Sequence, residues 1–204
     1  LTSLGRIAGE RDMQWALPTV EAYLAFCHAG LARAHHGDLE VARRWLEATS
    51  LDPDREVSFA EEPYVTIYAW VLFMVGRSES AYRWSERIVA RAEAGERWGH
   101  AVQGLVLQAG SSHVLGNRAE ALCLLERAVR LAEPGRYIRT FLDAGPVIAE
   151  LLVEVEILPT YVDQLLAAFE SSTSCFASSP PAGSEETAAR STGDRRSEPR
   201  KRPP

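Results

Sequence analysis

The chain has 204 residues, 46% hydrophobic and 25% charged, with a formal net charge of −6 at pH 7; that length suits one ordinary domain or an array of about four or five helix pairs. No run approaches the roughly 18 apolar residues of a membrane span and no signal-like segment opens the chain, so a cytoplasmic protein is expected. Residues 1–170 hold 16 arginines against 24 acids, and so acidic a body repels polyanions, which argues against direct nucleic-acid contact.

In chain order, residues 19–36 place Val20, Leu24, Cys27 and Leu31 at spacings of three and four, which is one face of a helix. Gly37 closes that helix. A second is predicted from about Asp38 to Thr49, with Asp38 as N-cap and Leu39, Ala42, Trp45, Leu46 and Thr49 as its inner stripe. Asp52, Pro53 and Asp54 mark a turn, since proline lacks the amide donor and aspartate favours turns. The next helix, about 63–75, is apolar nearly all round and is expected to be the most buried element. Its Val65, Thr66, Ile67, Tyr68 run could pass for a strand, but the repeat register decides for helix. A third unit spans about 100–115 and 117–132, with Asn117 and Glu120 at capping-box spacing. Pro134 and Gly135 end it. Residues 137–143 read as a connector with some helical character, followed by helices at about 146–155 and 160–170. From Ser171 onward order is expected to fail: the last 34 residues contain 8 serines and 5 prolines, with Phe176 as the only large apolar side chain, too little to offset the entropy of ordering.

The triplets Gly37, Ala42, Leu46, then Gly76, Ala81, Ser85, then Gly116, Ala121, Leu125 recur at steps of 39 and 40 residues, a period that marks a helical-repeat array. Small residues stand seven positions before each glycine, at Gly30, Ala69 and Ala109, where two helices of a hairpin come close. The expected fold is all-α, a solenoid of antiparallel helix pairs over residues 1–170 with a disordered Ser/Pro/Arg-rich tail over 171–204. Such arrays act as binding surfaces.

Chemistry is sparse. Lys201 is the only lysine, so the body has no phosphate loop ending in Gly-Lys-Ser/Thr and no Schiff-base amine. Cys27, Cys123 and Cys175 are odd in number and far apart, which suits neither a disulfide framework nor a zinc site; Cys27 and Cys123 are expected to be inert packing residues. His28, His35 and His36 lack a carboxylate partner at helical spacing, and His100 and His113 fare similarly, so no metal is expected. Glu61 and Glu62 read as a solvated loop. No nucleophile, acid–base or cofactor motif is present, and the chain is not expected to be an enzyme.

The glycine, alanine and small-residue positions resemble the tetratricopeptide pattern stretched to about 40 residues, with the consensus tyrosine position occupied by Arg33, Leu72 and Ser112. The stretch from Gly95 to Leu152 resembles the repeat region of large ATP-binding LuxR-family (MalT-like) transcriptional regulators of bacteria. The segment AEPGRYIRTFLDAGPVIAELL, residues 132–152, is particularly close to that family's usual ending, and Tyr161 to Phe169 is similar to the helix that follows. The resemblance covers roughly residues 20–170. It implies a non-catalytic repeat domain that binds an inducer small molecule or a regulatory protein. In a full-length relative it stands between an ATPase and a DNA-binding helix-turn-helix, neither of which this chain contains. The alternative is a free-standing tetratricopeptide-like adaptor that binds peptides or proteins.

In tetratricopeptide arrays the first helix of each pair lines the concave face, with the positions six, three and two before the glycine pointing inward. On this chain those are Leu31, Ala34 and His35, then Trp70, Phe73 and Met74, then Gly110, His113 and Val114. The expected ligand groove is therefore His35, Trp70, Phe73 and His113, suited to a small polar ligand with an apolar face or to a peptide. Core packing competes for Phe73, Met74 and Val114.

Overall fold

A computed structural model of the chain describes residues 21–27, 29, 39–52 and 54–177, with side chains through Ser172. All regular structure among these residues is helical. Residues 21–27 form a helical segment, followed by α1 (Glu40–Thr49), a short 3-10 turn (Phe59–Glu61), α2 (Glu62–Met74) and α3 (Ser78–Ala94). Then come α4 (Trp98–Val114), α5 (Arg118–Ala132), α6 (Ile138–Asp143), α7 (Pro146–Leu152) and α8 (Pro159–Ala177). The helices stack in sequence, α2 on α3, α3 on α4 and α4 on α5, while α8 closes over α6 and α7.

Hydrogen bonding explains the regularity of the array. The helix ends at residues 76, 96, 116 and 136 share one left-handed turn, with φ of +89° at Gly76, +53° at Glu96, +90° at Gly116 and +50° at Arg136. In each, the amide of the next residue reaches back to a carbonyl five positions earlier: Arg77 to Leu72 at 2.8 Å, Arg97 to Ala92 at 2.8 Å, Asn117 to Ser112 at 2.9 Å and Tyr137 to Ala132 at 3.3 Å. That bond satisfies a carbonyl the helix itself leaves orphaned. The sequence period near 40 thus contains two turns of one kind. Glycine marks only alternate ones, because Gly95 and Gly135 stand one residue before the left-handed position.

The predicted inner stripe of α1 holds. Ala42 and Leu46 are buried and Leu39 and Trp45 pack against the core. α2 buries every residue from Val65 to Met74, as its apolar circumference requires. Ala69 and Ala109 are fully buried, while Gly30 and Gly37 lie outside the described residues. Ser85, at a position where the repeat favours a large apolar residue, is fully buried; its hydroxyl donates to the Tyr82 carbonyl at 2.6 Å. An aromatic series crosses the units: Trp45 and Tyr68 stand 5.8 Å apart and Tyr68 and Trp84 5.9 Å apart, the latter pair edge to face. The Asp52 turn forms as predicted, with the Asp54 amide donating to Asp52 Oδ1 at 2.9 Å.

Several expectations are corrected. In segment 21–27 the buried side chains are Ala22 and Ala25, joined by Ala29, while Cys27 is exposed and Leu24 only half-buried; close helix packing selects the small residues. Val20 and Leu31 lie outside the described residues. Cys123 is also exposed, so neither thiol is a packing residue. Leu39, not Asp38, occupies the N-cap position of α1, and Asp38 lies outside the described residues. The Asn117–Glu120 capping box does not form, because the Glu120 carboxylate accepts instead from Ser112 Oγ at 2.6 Å and the Tyr82 hydroxyl at 2.6 Å. A capping box does join Ser58 and Glu61.

Glu61 and Glu62 are not a solvated loop. Glu61 accepts from the Ser58 amide and hydroxyl at 2.9 and 2.8 Å. Glu62 opens α2, is 12% exposed and receives Arg97 at 2.8 Å and Arg91 at 3.2 Å. Val114 is 54% exposed rather than core. Finally, α8 continues past residue 170 to Ala177, so helical order extends beyond Ser171; residues 178–204 lie outside the described residues.

Candidate functional site

Four helical elements meet around a cavity of about 210 Å³. The segment 21–27 contributes Tyr23 and Phe26, α2 contributes Thr66, Ile67 and Trp70 along one face, and Pro63 stands at the start of α2. From the other side come His100 and Gln103 of α4, then Thr140 and Asp143 of α6. In the repeat register these elements are the first helices of successive pairs. The cavity therefore lies on the face that first helices share, which is where a solenoid of this kind presents its binding surface.

The predicted groove residues separate. Trp70 lines the cavity although it is only 4% exposed, so most of the indole is packed. Phe73, one turn further along α2, stands edge to face with Trp70 at 6.4 Å. It packs on Gly110, where a Cβ would come within 3.0 Å of its ring; Phe73 is thus a core residue that supports Trp70 and does not line the cavity. Met74 is likewise buried. His113 lies at the opposite end of α4, half-buried, with Nδ1 3.5 Å from Arg118 Nη1, and takes no part in the cavity. His35 lies outside the described residues.

His100, Gln103, Thr140 and Asp143 escaped the sequence reading, which took only the positions nearest the glycines. A signal was available: Thr66 and Pro63 continue the Trp70 face at steps of four and three toward the start of α2, and Gln103 continues the Gly110 face seven residues back in α4. Nothing in the local pattern marked Asp143.

The polar lining is open to a ligand. Thr66 donates to the Glu62 carbonyl at 2.8 Å and retains acceptor capacity. The side chains of His100, Gln103 and Thr140 have no hydrogen-bond partner among the described residues. Asp143 Oδ1 accepts from Arg139 Nε at 2.7 Å, the arginine being 83% exposed and the aspartate 25%. Burial pushes the Asp143 carboxyl above its ordinary value, against the opposing pull of Arg139.

A second, much smaller void of about 20 Å³ lies between α2 and α3 beside Trp84 and Ile88; it has room for little more than one water. Among the described residues no three His, Cys, Asp or Glu side chains are grouped to hold a metal ion, and no helix is long and apolar enough to cross a membrane.

No curated protein and no solved structure matches the chain. Among protein families, the MalT-like TPR region matches residues 25–158, a span that takes in the helical pairs, their left-handed turns and most of the cavity. The chain belongs to that family of tetratricopeptide-like repeat regions.

Proposed function

We propose that this chain is the non-catalytic sensor or interaction domain of a LuxR-family, MalT-like transcriptional regulator, and that its cavity receives an inducer small molecule. The observation that carries this reading is the joint lining of the cavity by segment 21–27, α2, α4 and α6. A ligand there touches three or more repeat units at once. Because each unit contacts mainly its neighbours, a ligand that binds one inter-unit angle better than another shifts the array toward it by its differential affinity. Occupancy then becomes a change of shape that neighbouring domains of a regulator can read. The acidic body favours regulation through such domains over direct contact with DNA.

Binding of a regulatory protein or peptide to the same face is the second reading, supported by the partial exposure of Tyr23 at the cavity rim, 54%. The test is a thermal-shift screen of a metabolite library and a peptide library, repeated on Gln103→Trp, which fills the cavity from a half-buried position. Metabolite hits lost in Gln103→Trp support the sensor; hits confined to peptides support the adaptor. Hits of either kind that survive the substitution place the ligand elsewhere and refute the site.

A further inference from the structure

We propose that the cavity selects a small molecule carrying a positively charged amine on an aromatic or similarly flat apolar body. The proposal rests on the reading of this cavity as the ligand site and adds the chemistry of the ligand.

Charge is the first argument. Among the described lining residues Asp143 is the only carboxylate, and none is an arginine or a lysine. Among the described residues the cation attached to Asp143 is Arg139, which holds Oδ1 and is itself mostly exposed. Oδ2 has no partner among the described residues. A carboxylate part-way out of water with one exposed counter-ion is under-compensated, and an ammonium group entering from the cavity offsets its desolvation. An anionic ligand meets the reverse: an acidic neighbour that already engages the Arg139 guanidinium, and no arginine or lysine among the described lining residues to receive it. The surrounding body, with 24 acids against 16 arginines over residues 1–170, raises the local concentration of cations further.

Shape and surface are the second argument. Trp70, Tyr23 and Phe26 bring three aromatic side chains from two helices to one cavity. Aromatic faces attract cations as well as flat apolar groups, about 0.5–2 kcal/mol for each cation–ring contact. Thr66, Gln103 and Thr140 carry oxygen acceptors for the remaining N–H bonds of an amine.

Phenethylamine, its neutral counterpart 2-phenylethanol and the anion phenylacetate share a ring and nearly a length, and they differ in head-group charge. Titration calorimetry on the full chain is expected to rank them amine, alcohol, acid, with the amine about tenfold tighter than the alcohol. Asp143→Asn is expected to erase the preference, weakening the amine far more than the alcohol. Arg139→Gln removes the competing intrachain cation and is expected to tighten the amine by about two- to fivefold, a gain that a merely structural role for Asp143 does not produce. Equal binding of amine and alcohol, or an unchanged preference in Asp143→Asn, overturns the proposed ligand chemistry and leaves the cavity as a site. If none of the three binds, the ligand chemistry fails; if they bind and Gln103→Trp does not abolish it, the cavity reading fails as well.

Discussion

The left-handed helix ends give a prediction whose sign reverses between neighbouring turns. Gly76 and Gly116 sit at φ near +90°, and a Cβ at either would meet nothing within 4 Å. The cost of Gly76→Ala is therefore backbone strain, about 1–2 kcal/mol for an L-residue in the left-handed region, offset by about 0.5–1 kcal/mol of chain entropy no longer lost on folding, a net loss of about 0.5–1 kcal/mol. Glu96 already bears that strain at +53°, and it is exposed. Glu96→Gly removes the strain and adds about 0.5–1 kcal/mol of chain entropy lost on folding, so a net gain of about 0.5–1 kcal/mol is expected. Urea denaturation followed by far-ultraviolet circular dichroism and tryptophan fluorescence measures both changes, with Gly116→Ala as an internal replicate of Gly76→Ala. If Glu96→Gly destabilises the chain, or Gly76→Ala is neutral, the turns are not the left-handed helix ends described, and the explanation of the 40-residue period fails with them.

Other consequences concern packing and titration. Tyr161 is 4% exposed with a hydroxyl that finds no partner among the described residues, and burial, then the nearby Glu133 charge, push it up to about 12; Tyr161→Phe keeps the edge-to-face contact with Phe141 and is expected to stabilise by about 0.5–1 kcal/mol, so a loss of stability in the melt would reveal a missed bond. A Cβ at Gly104 would stand 2.7 Å from Val89 Cγ2 and 3.3 Å from the Val89 backbone nitrogen. Gly104→Ala should therefore lose about 1–3 kcal/mol to overpacking, more than the roughly 1 kcal/mol it gains in helix propensity; a rise in melting temperature refutes the close approach of α3 and α4. Glu61 is lowered from 4.5 to about 2 by the Ser58 amide, the Ser58 hydroxyl and then Arg55. A depressed carboxyl contributes stability above its unfolded value and loses it as pH falls through the folded one, so Glu61→Gln should be less stable than the parent near neutral pH, with the difference shrinking between pH 4.5 and about 2. A difference that stays constant with pH would mean that Ser58 and Arg55 do not hold the ionised form.

Apolar spacing placed α1 and α2 within a residue or two, and the register of Gly76 and Gly116 resolved the ambiguous Val65–Tyr68 run as helix. Both signals are local: a helix repeats its inward face every three or four residues, and a left-handed helix end selects glycine from its own backbone geometry. Trp70 was legible as a cavity-lining residue through the family resemblance, because its place is fixed relative to the glycine that ends its helix.

Only tertiary structure decided the rest. Glu96 and Arg136 occupy turns that sequence pattern assigns to glycine, since a bond such as that from Arg97 to Ala92 holds the conformation for a residue without that preference. Phe73 and Trp70 are one turn apart on a single helix, yet one packs on Gly110 and the other reaches a cavity; the difference is set by what α4 and α6 place opposite them. Asp143 and Trp70 are 73 positions apart in the sequence, and periodicity carries no information across that distance. Local backbone preference therefore determined that the chain coils into paired helices, whereas the angle between successive pairs, fixed by side chains far apart in the sequence, determined that a carboxylate and three aromatic rings share one cavity.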